Sequence, residues 1–290
     1  MSARTQVKYA VKQLFLKSRH GSYASQYDAC KIALHFIDQL FGLGYKIPHI
    51  HSLKQKHIIA VVNLWKEEKL SNGTMKNRMS VVRHLALVID KPGIVSSNTD
   101  LGIGLRKYVP TTNKALHNPD FSAIAHEHLK VSLELQRLFG LRREESLKIK
   151  PHLADKDAEL KLTSSWCKGG RERTIPILTE EQRHWLGKAK AVAGNFGNSL
   201  IPQDKSYIQH RNLYDRETHK AGLKNLHGLR HAYAQRRYKE LTGWDAPING
   251  GLTSKQLTPE QKEADYRARM ILTEELGHSR EQITVNYCGR

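Results

Sequence analysis

Residues 91–120 carry Pro92, Gly93, Ser96, Ser97, Asn98, Gly102, Gly104, Pro110 and Pro119, and few large apolar side chains. Proline removes a backbone donor, glycine costs a helix or strand too much entropy, and few large side chains are present to anchor the segment. Such a stretch interrupts regular structure. It divides the chain near residue 110, and we expect residues 1–110 and 111–290 to be separate domains. A chain of 290 residues is long enough to bury a core without metals or disulfides.

Before the break the pattern is helical throughout. Ala29, Ile32, Ala33, Phe36, Ile37 and Leu40 form one stripe over residues 22–42, which Gly42 and Gly44 end. Ile58, Ile59, Val62 and Leu64 mark a helix over 54–69. After an Asn72-Gly73 turn, Thr74 is placed to cap a third helix that buries Met75, Met79, Val82, Leu85, Ala86 and Ile89.

Beyond the break the elements are mixed. A helix is expected over 121–139, strands over 159–166 and 173–178, and a tight hairpin turn at Lys168-Gly169-Gly170-Arg171 between them. Thr179 and Gln182 make a capping box for a helix running to about Gly194. Further helices are expected over 207–221 and from His227 to Glu240. Residues 242–257 read as a loop, and Thr258, Pro259 and Gln261 start a last helix that Gly277 ends. The expected fold class is mainly α with a small β-hairpin.

Charge constrains the partner. There are 47 Lys plus Arg against 28 Asp plus Glu, a formal +19. Arg4, Lys8, Lys12, Lys17 and Arg19 make the first twenty residues a basic arm with no acid. Such an excess favours a polyanion, because each neutralised phosphate releases condensed counterions. Lys54, Lys56, Lys76, Arg78 and Arg83 are the expected DNA contacts of the first domain. No apolar run approaches the roughly 18 residues of a membrane span, and the N-terminus lacks the pattern of a secretory signal. Cys30, Cys167 and Cys288 are too few and too scattered for a disulfide framework, which suits a reducing, intracellular setting.

Four separated segments hold complementary polar groups: Arg142 to Glu145, Lys168, His227 to His231, and His278 with Tyr287. Together they resemble the motifs of the tyrosine recombinases, the family of phage integrases and chromosome-dimer resolvases. Phe139-Gly140-Leu141-Arg142-Arg143-Glu144-Glu145 is similar to the first arginine box, with Arg142 on the catalytic arginine and Glu145 on the supporting acid. The segment from Lys168 to Pro176 is similar to the hairpin that carries the catalytic lysine. His227-Gly228-Leu229-Arg230-His231 resembles the second box, and Leu276-Gly277-His278 the third. Tyr287, nine residues after His278, stands where the family places its nucleophile. The likeness covers residues 120–290, and the first domain fits the family's core-binding domain loosely.

The resemblance implies a helical core-binding domain followed by a mixed α+β catalytic domain. It implies cleavage and rejoining of DNA through a 3′-phosphotyrosyl intermediate, for integration, excision or resolution. Two guanidiniums suit the phosphate oxygens, since each offers paired donors in a fixed fork. Arg142 and Arg230 take that role, and His227 or His278 supplies a third donor. The phenol of Tyr287, with a reference pKa of about 10, gains from a positive surround. Lys168 is expected to protonate the leaving 5′ oxygen. No metal or other cofactor is required. His231 is expected to support the site, and Arg171 and Arg173 to touch DNA phosphates.

The expected partners are double-stranded attachment sites, three further copies of the chain in a tetramer on DNA, and accessory DNA-bending proteins. The expected location is the nucleoid of a bacterial cytoplasm, with a bacterial or phage gene. The competing readings are a DNA-binding relative without catalysis and a type IB topoisomerase. A metallohydrolase on His227 and His231 is weaker, because Gly228 stands where a zinc-protease helix has its Glu. Two departures stand out. His278 lies 48 positions after Arg230, about twice the family's usual separation, and the excess falls on Gly243 to Gln261, which reads as a surface insertion. The chain also stops three residues after Tyr287, where many relatives carry a further helix.

Overall fold

The computed structural model describes residues 1–18 and 21–290, so Arg19 lies outside the described residues. They form two compact units, Met1–Lys107 and Tyr108–Arg290.

The first unit holds α1 (Ala3–Lys17), α2 (Tyr23–Gly42), α3 (Gln55–Glu67) and α4 (Asn72–Val88). The residues expected to form a basic arm are α1. Val7, Val11 and Phe15 lie on one face of it and are buried, and Arg4 and Lys8 reach Asp38 of α2 at 2.7 and 2.8 Å. A free arm is therefore ruled out for residues 3–17: the helix carries core residues at helical spacing. The fourth helix begins earlier than expected. Ser71 Oγ accepts the Thr74 N–H at 3.1 Å, so Asn72 and Gly73 form its first turn and are not a preceding loop.

Phe36, Ile37, Leu40, Val62, Trp65, Met79 and Leu85 fill the core of this unit. Two expected phosphate contacts are occupied within it. The Arg78 guanidinium lies 5.3 Å over the Trp65 ring, and Arg83 donates to Ser96 O at 3.1 Å and to Asn98 Oδ1 at 2.9 Å. Lys54 and Lys56 are exposed, and Lys76 is half-buried. No helix among the described residues is long and apolar enough to cross a membrane.

The second unit holds α5 (Glu127–Phe139), α6 (Arg143–Lys148), α7 (Pro151–Ala154), β1 (Glu159–Leu162), β2 (Arg173–Pro176), α8 (Glu180–Ala193), α9 (Tyr207–Lys220), α10 (Gly228–Thr242), α11 (Pro259–Glu275) and α12 (Val285–Cys288). Helix α5 buries eight of its residues, among them Leu129, Leu133, Leu135 and Phe139, and packs against α6, α8 and α10. A helix apolar on most sides must lie inside. It starts later than expected because Ile124 N–H bonds Phe121 O and closes a separate turn there.

The strands pair antiparallel, with Leu160 opposite Ile175 and Leu162 opposite Arg173. They are shorter than expected. Trp166 and Cys167 turn into the core, so residues 163–172 form a loop with two 3-10 turns in place of a tight hairpin turn. Side chains two apart on a strand share a face. Arg173 therefore points inward with Ile175, and both are buried.

The expected start of α11 is present. Thr258 Oγ1 accepts the Gln261 N–H at 3.3 Å, and Gln261 Oε1 accepts the Thr258 N–H at 3.0 Å. The segment before it is not a loose surface insertion: Ala246 and Leu257 are buried, and Pro247–Asn249 form a 3-10 turn.

Candidate active site

The site is organised around the end of α11. Gly277, at φ +62°, places the chain in the left-handed region. The N–H of His278 bonds Thr273 O at 2.8 Å and that of Gly277 bonds Glu274 O at 2.9 Å. These two bonds close a Schellman motif, which reverses the chain and turns His278 back over the helix end. The motif leaves the Leu276 carbonyl without a helical donor. Both arginines supply one: Arg142 Nη2 at 3.2 Å, and Arg230 Nη2. The negative end of a helix thus gathers two positive groups.

Arg142 precedes α6, and the third residue of that helix is Glu145. One carboxylate oxygen accepts the Arg142 backbone N–H at 2.7 Å, and the other accepts Arg142 Nη1 at 2.7 Å. Glu145 is fully buried, and Arg173 from β2 donates to both of its oxygens at 3.1 and 2.7 Å. Arg173 Nε also donates to Glu275 O at 2.8 Å. The expectation for Arg173 is corrected here: its guanidinium is buried on an acid and is no surface phosphate contact. Burial alone would raise the Glu145 pKa. The hydrogen bonds and charge of Arg173, with Arg142 and Arg230 nearby, bring it down to about 2.

Arg230 lies on the first turn of α10 and is 1% exposed, which makes every unmet donor costly. Its Nη1 donates to Gly140 O at 2.5 Å. Gly140 ends α5 at φ +61°, and a Cβ there would sit 2.5 Å from Tyr233 Cδ1. Only glycine brings that carbonyl to the arginine. Arg230 Nε donates to Tyr287 Oη at 3.3 Å, and His278 Nε2 is 3.0 Å from the same oxygen. Arg142, Glu145, Arg230, His278 and Tyr287 therefore meet in one place.

His227 and His231 flank them. The His231 ring is centred 4.7 Å from that of Tyr287 and the His227 ring 6.3 Å. Among the described residues, no group of His, Cys, Asp or Glu is arranged to hold a metal ion. Lys168 is exposed on the 163–172 loop and is not bonded to the others. Arg171 on the same loop donates to His278 O, which tethers the loop beside the site.

Burial first, and the site's positive charge second, keep its imidazoles neutral. Burial, then Arg230 and Arg142, lowers the His278 pKa to about 3. Burial and neighbouring His227 lower His231 to about 4. Burial lowers Arg230 only to about 10, so it stays a cation at neutral pH.

Sequence reading missed Gln235, whose Nε2 donates to Tyr287 O at 2.9 Å. It also missed Glu275, which accepts from Tyr233 Oη at 2.7 Å and Arg237 Nε at 3.0 Å beneath the site. No spacing marks either residue. Gln235 at least lies on the predicted helix of the second box, about two turns from His227.

The sequence matches the family described as phage integrase, N-terminal, over residues 5–91, and the family described as integrase over residues 104–236. The second match includes Arg142, Lys168, His227 and Arg230 and stops before His278 and Tyr287. No curated protein matches the chain in sequence. Several solved structures share the fold. The Tn1549 transposon integrase, in complex with transposon right end DNA, is 14% identical over 100% of this chain and 95% of that one, with a TM-score of 0.57. The XerH site-specific recombinase bound to a palindromic difH substrate is 17% identical over 97% and 80%, with a TM-score of 0.59. A lambda integrase in a tetramer bound to a Holliday junction is 16% identical over 96% and 76%, with a TM-score of 0.58.

Proposed function

The chain belongs to the phage integrase family of tyrosine recombinases, and from that premise we propose that it cuts and rejoins specific DNA sites with Tyr287 as nucleophile. The observation that carries this reading is the Tyr287 hydroxyl, held at 3.3 Å from Arg230 and 3.0 Å from His278.

In the reaction, Tyr287 Oη attacks a backbone phosphorus. An O–P bond to the phenol forms, and the bond to the 5′ oxygen breaks. Arg142 and Arg230 meet the charge that grows on the non-bridging oxygens: both Nη atoms of Arg142 and Nη1 of Arg230 carry a second N–H, while Arg230 Nη2 also faces His278 Nε2 at 3.4 Å. Neutral His278 takes the phenolic proton or passes it to solvent. A bound phosphate places negative charge beside the guanidiniums that, after burial, keep His278 neutral, and so eases that transfer. His227 and His231 bound the ring of Tyr287. Lys168, on the loop that Arg171 tethers, protonates the leaving 5′ oxygen. Attack by a 5′ hydroxyl from a second duplex then reverses the step and joins new partners without ATP.

Residues 1–110 serve as the core-binding domain, with Lys54, Lys56 and Lys76 on phosphates, and residues 111–290 as the catalytic domain. Two rounds of strand exchange call for four copies on paired attachment sites. DNA-bending proteins assist, and the reaction takes place where the chromosome lies. Integration, excision and resolution are the uses this chemistry serves.

The test is a pool of nicked duplexes with randomised cores. We expect an adduct that survives denaturation with the native chain and none with Tyr287→Phe. An undiminished adduct in that variant rules out this nucleophile. Joined products between two labelled duplexes separate a recombinase from a topoisomerase that merely relaxes DNA.

A further inference from the structure

We propose that Gln235, Asn113 and Asn249 form a brace that positions the nucleophile, and that the insertion at Gly243 to Gln261 completes it. The proposal rests on the assignment of Tyr287 above. Gln235 is a positioning residue in this account, since it touches only the main chain of the tyrosine.

The nucleophile lies on α12, which spans only four residues. A helix that short has almost no stability of its own, so its place must be set by its neighbours. Gln235 is 2% exposed and lies on α10, the helix that carries Arg230. Its Nε2 has two acceptors, Tyr287 O at 2.9 Å and Asn113 Oδ1 at 2.8 Å. These acceptors fix which way the amide faces. Asn113 in turn donates from Nδ2 to Asn249 Oδ1 at 2.6 Å and to Gln235 Oε1 at 3.3 Å. Asn249 ends the 3-10 turn of the insertion.

The segment that carries Asn113 is itself fixed. Leu116 N–H bonds Gly228 O at 2.9 Å, and a Cβ on Gly228 would lie 2.5 Å from Lys114 O. The insertion also reaches the nucleophile segment directly, since a Cβ on Gly289 would meet Ile248 N at 3.0 Å. Two amides in series, Asn113 and Gln235, therefore link the Asn249 turn, the segment at 113–116 and α10 to the carbonyl of Tyr287. The side chain of Arg230 holds the other end of that residue, its hydroxyl. The longer separation between Arg230 and His278 is explained by this packing.

The experiment uses the full chain and the site recovered from the nicked-duplex pool. Non-covalent affinity is measured in a Tyr287→Phe background. Asn249→Ala removes an acceptor at the exposed end of the turn and should slow single-turnover adduct formation by about fivefold. Asn249→Asp keeps the acceptor and should restore the native rate. Gln235→Ala should slow the step by roughly 10- to 100-fold, as small misplacements of reacting groups do. DNA affinity should change less than about twofold in all three, because the brace touches no phosphate. Unchanged rates in Asn249→Ala and Gln235→Ala overturn the proposal, and so does a matching loss of DNA affinity.

Amide exchange over residues 281–290 supplies a readout that needs no chemistry. It should quicken in Asn249→Ala and Gln235→Ala and stay native in Asn249→Asp. If the native chain forms no adduct, the nucleophile assignment fails, and the exchange result still decides whether the brace exists.

Discussion

Arg173 donates to both carboxylate oxygens of Glu145, at 3.1 and 2.7 Å, with the acid fully buried. This pair underlies the first arginine box, because the same carboxylate also holds the backbone and side chain of Arg142. Removing Arg173 takes the fully buried counter-charge from Glu145 and leaves the half-buried Arg142 to balance it. Arg173→Ala should therefore cost about 3–5 kcal/mol in urea denaturation. Arg171→Ala, at an exposed position, should cost less than about 0.5 kcal/mol. Equal effects of the two substitutions would show that Arg173 is not the interior group described here.

Acid should weaken the fold in a defined order. His210 and His231 are lowered to about 4 and His278 to about 3, each mainly by burial. The unfolded chain takes up these protons from about pH 6.5 downward, and the folded chain does not. Stability is thus level above that pH and declines as pH falls toward 4 and 3. Glu145, lowered to about 2 by its arginines, adds a second decline below its ordinary 4.5. A melting temperature that is flat from pH 7 to pH 4 contradicts this account.

His210 offers a way to flatten that profile. It is fully buried, and neither ring nitrogen has a hydrogen-bond partner among the described residues. His210→Leu removes two unmet polar atoms and one acid-sensitive group. It should stabilise the protein by about 1 kcal/mol and make the melting temperature less steep in pH. Destabilisation at neutral pH would mean that the imidazole is bonded after all.

Arg142→Lys should separate chemistry from binding. Lysine keeps the charge but loses the planar fork that serves Glu145 and Leu276 O together and, on the proposed mechanism, a phosphate as well. Single-turnover adduct formation should fall by about 100-fold or more at saturating DNA. Affinity measured at fixed salt should fall far less. A drop confined to affinity counts against a role in the transition state.

Gly140→Ala should disrupt the link between the two boxes. A Cβ would meet the Tyr233 ring at 2.5 Å from a residue at φ +61°. The expected cost is about 3 kcal/mol in urea denaturation, from backbone strain and overpacking together. Gly187→Ala, in open space on α8, serves as the control and should be neutral or slightly stabilising.

The kind of chemistry, and the helices that carry it, can be read from the order of the residues. That Arg142, Arg230, His278 and Tyr287 belong to one cluster was legible from their motifs, and the structure brings them together; caps such as Thr179 and Thr258 are set by neighbours three positions away. What lies between distant segments was settled by folding alone. Nothing local to Arg173 distinguishes a phosphate contact from the buried partner of Glu145; the strand pairing that turns it inward does. A contact made only on folding leaves no periodic trace in the chain, and the 242–261 segment shows this most clearly. Its glycines predicted a loop, and the contacts of Asn249 with Asn113 and of Ile248 with Gly289 gave that loop a place beside Tyr287. Side-chain spacing follows from backbone geometry within one element, whereas the meeting of elements depends on which buried polar groups find partners.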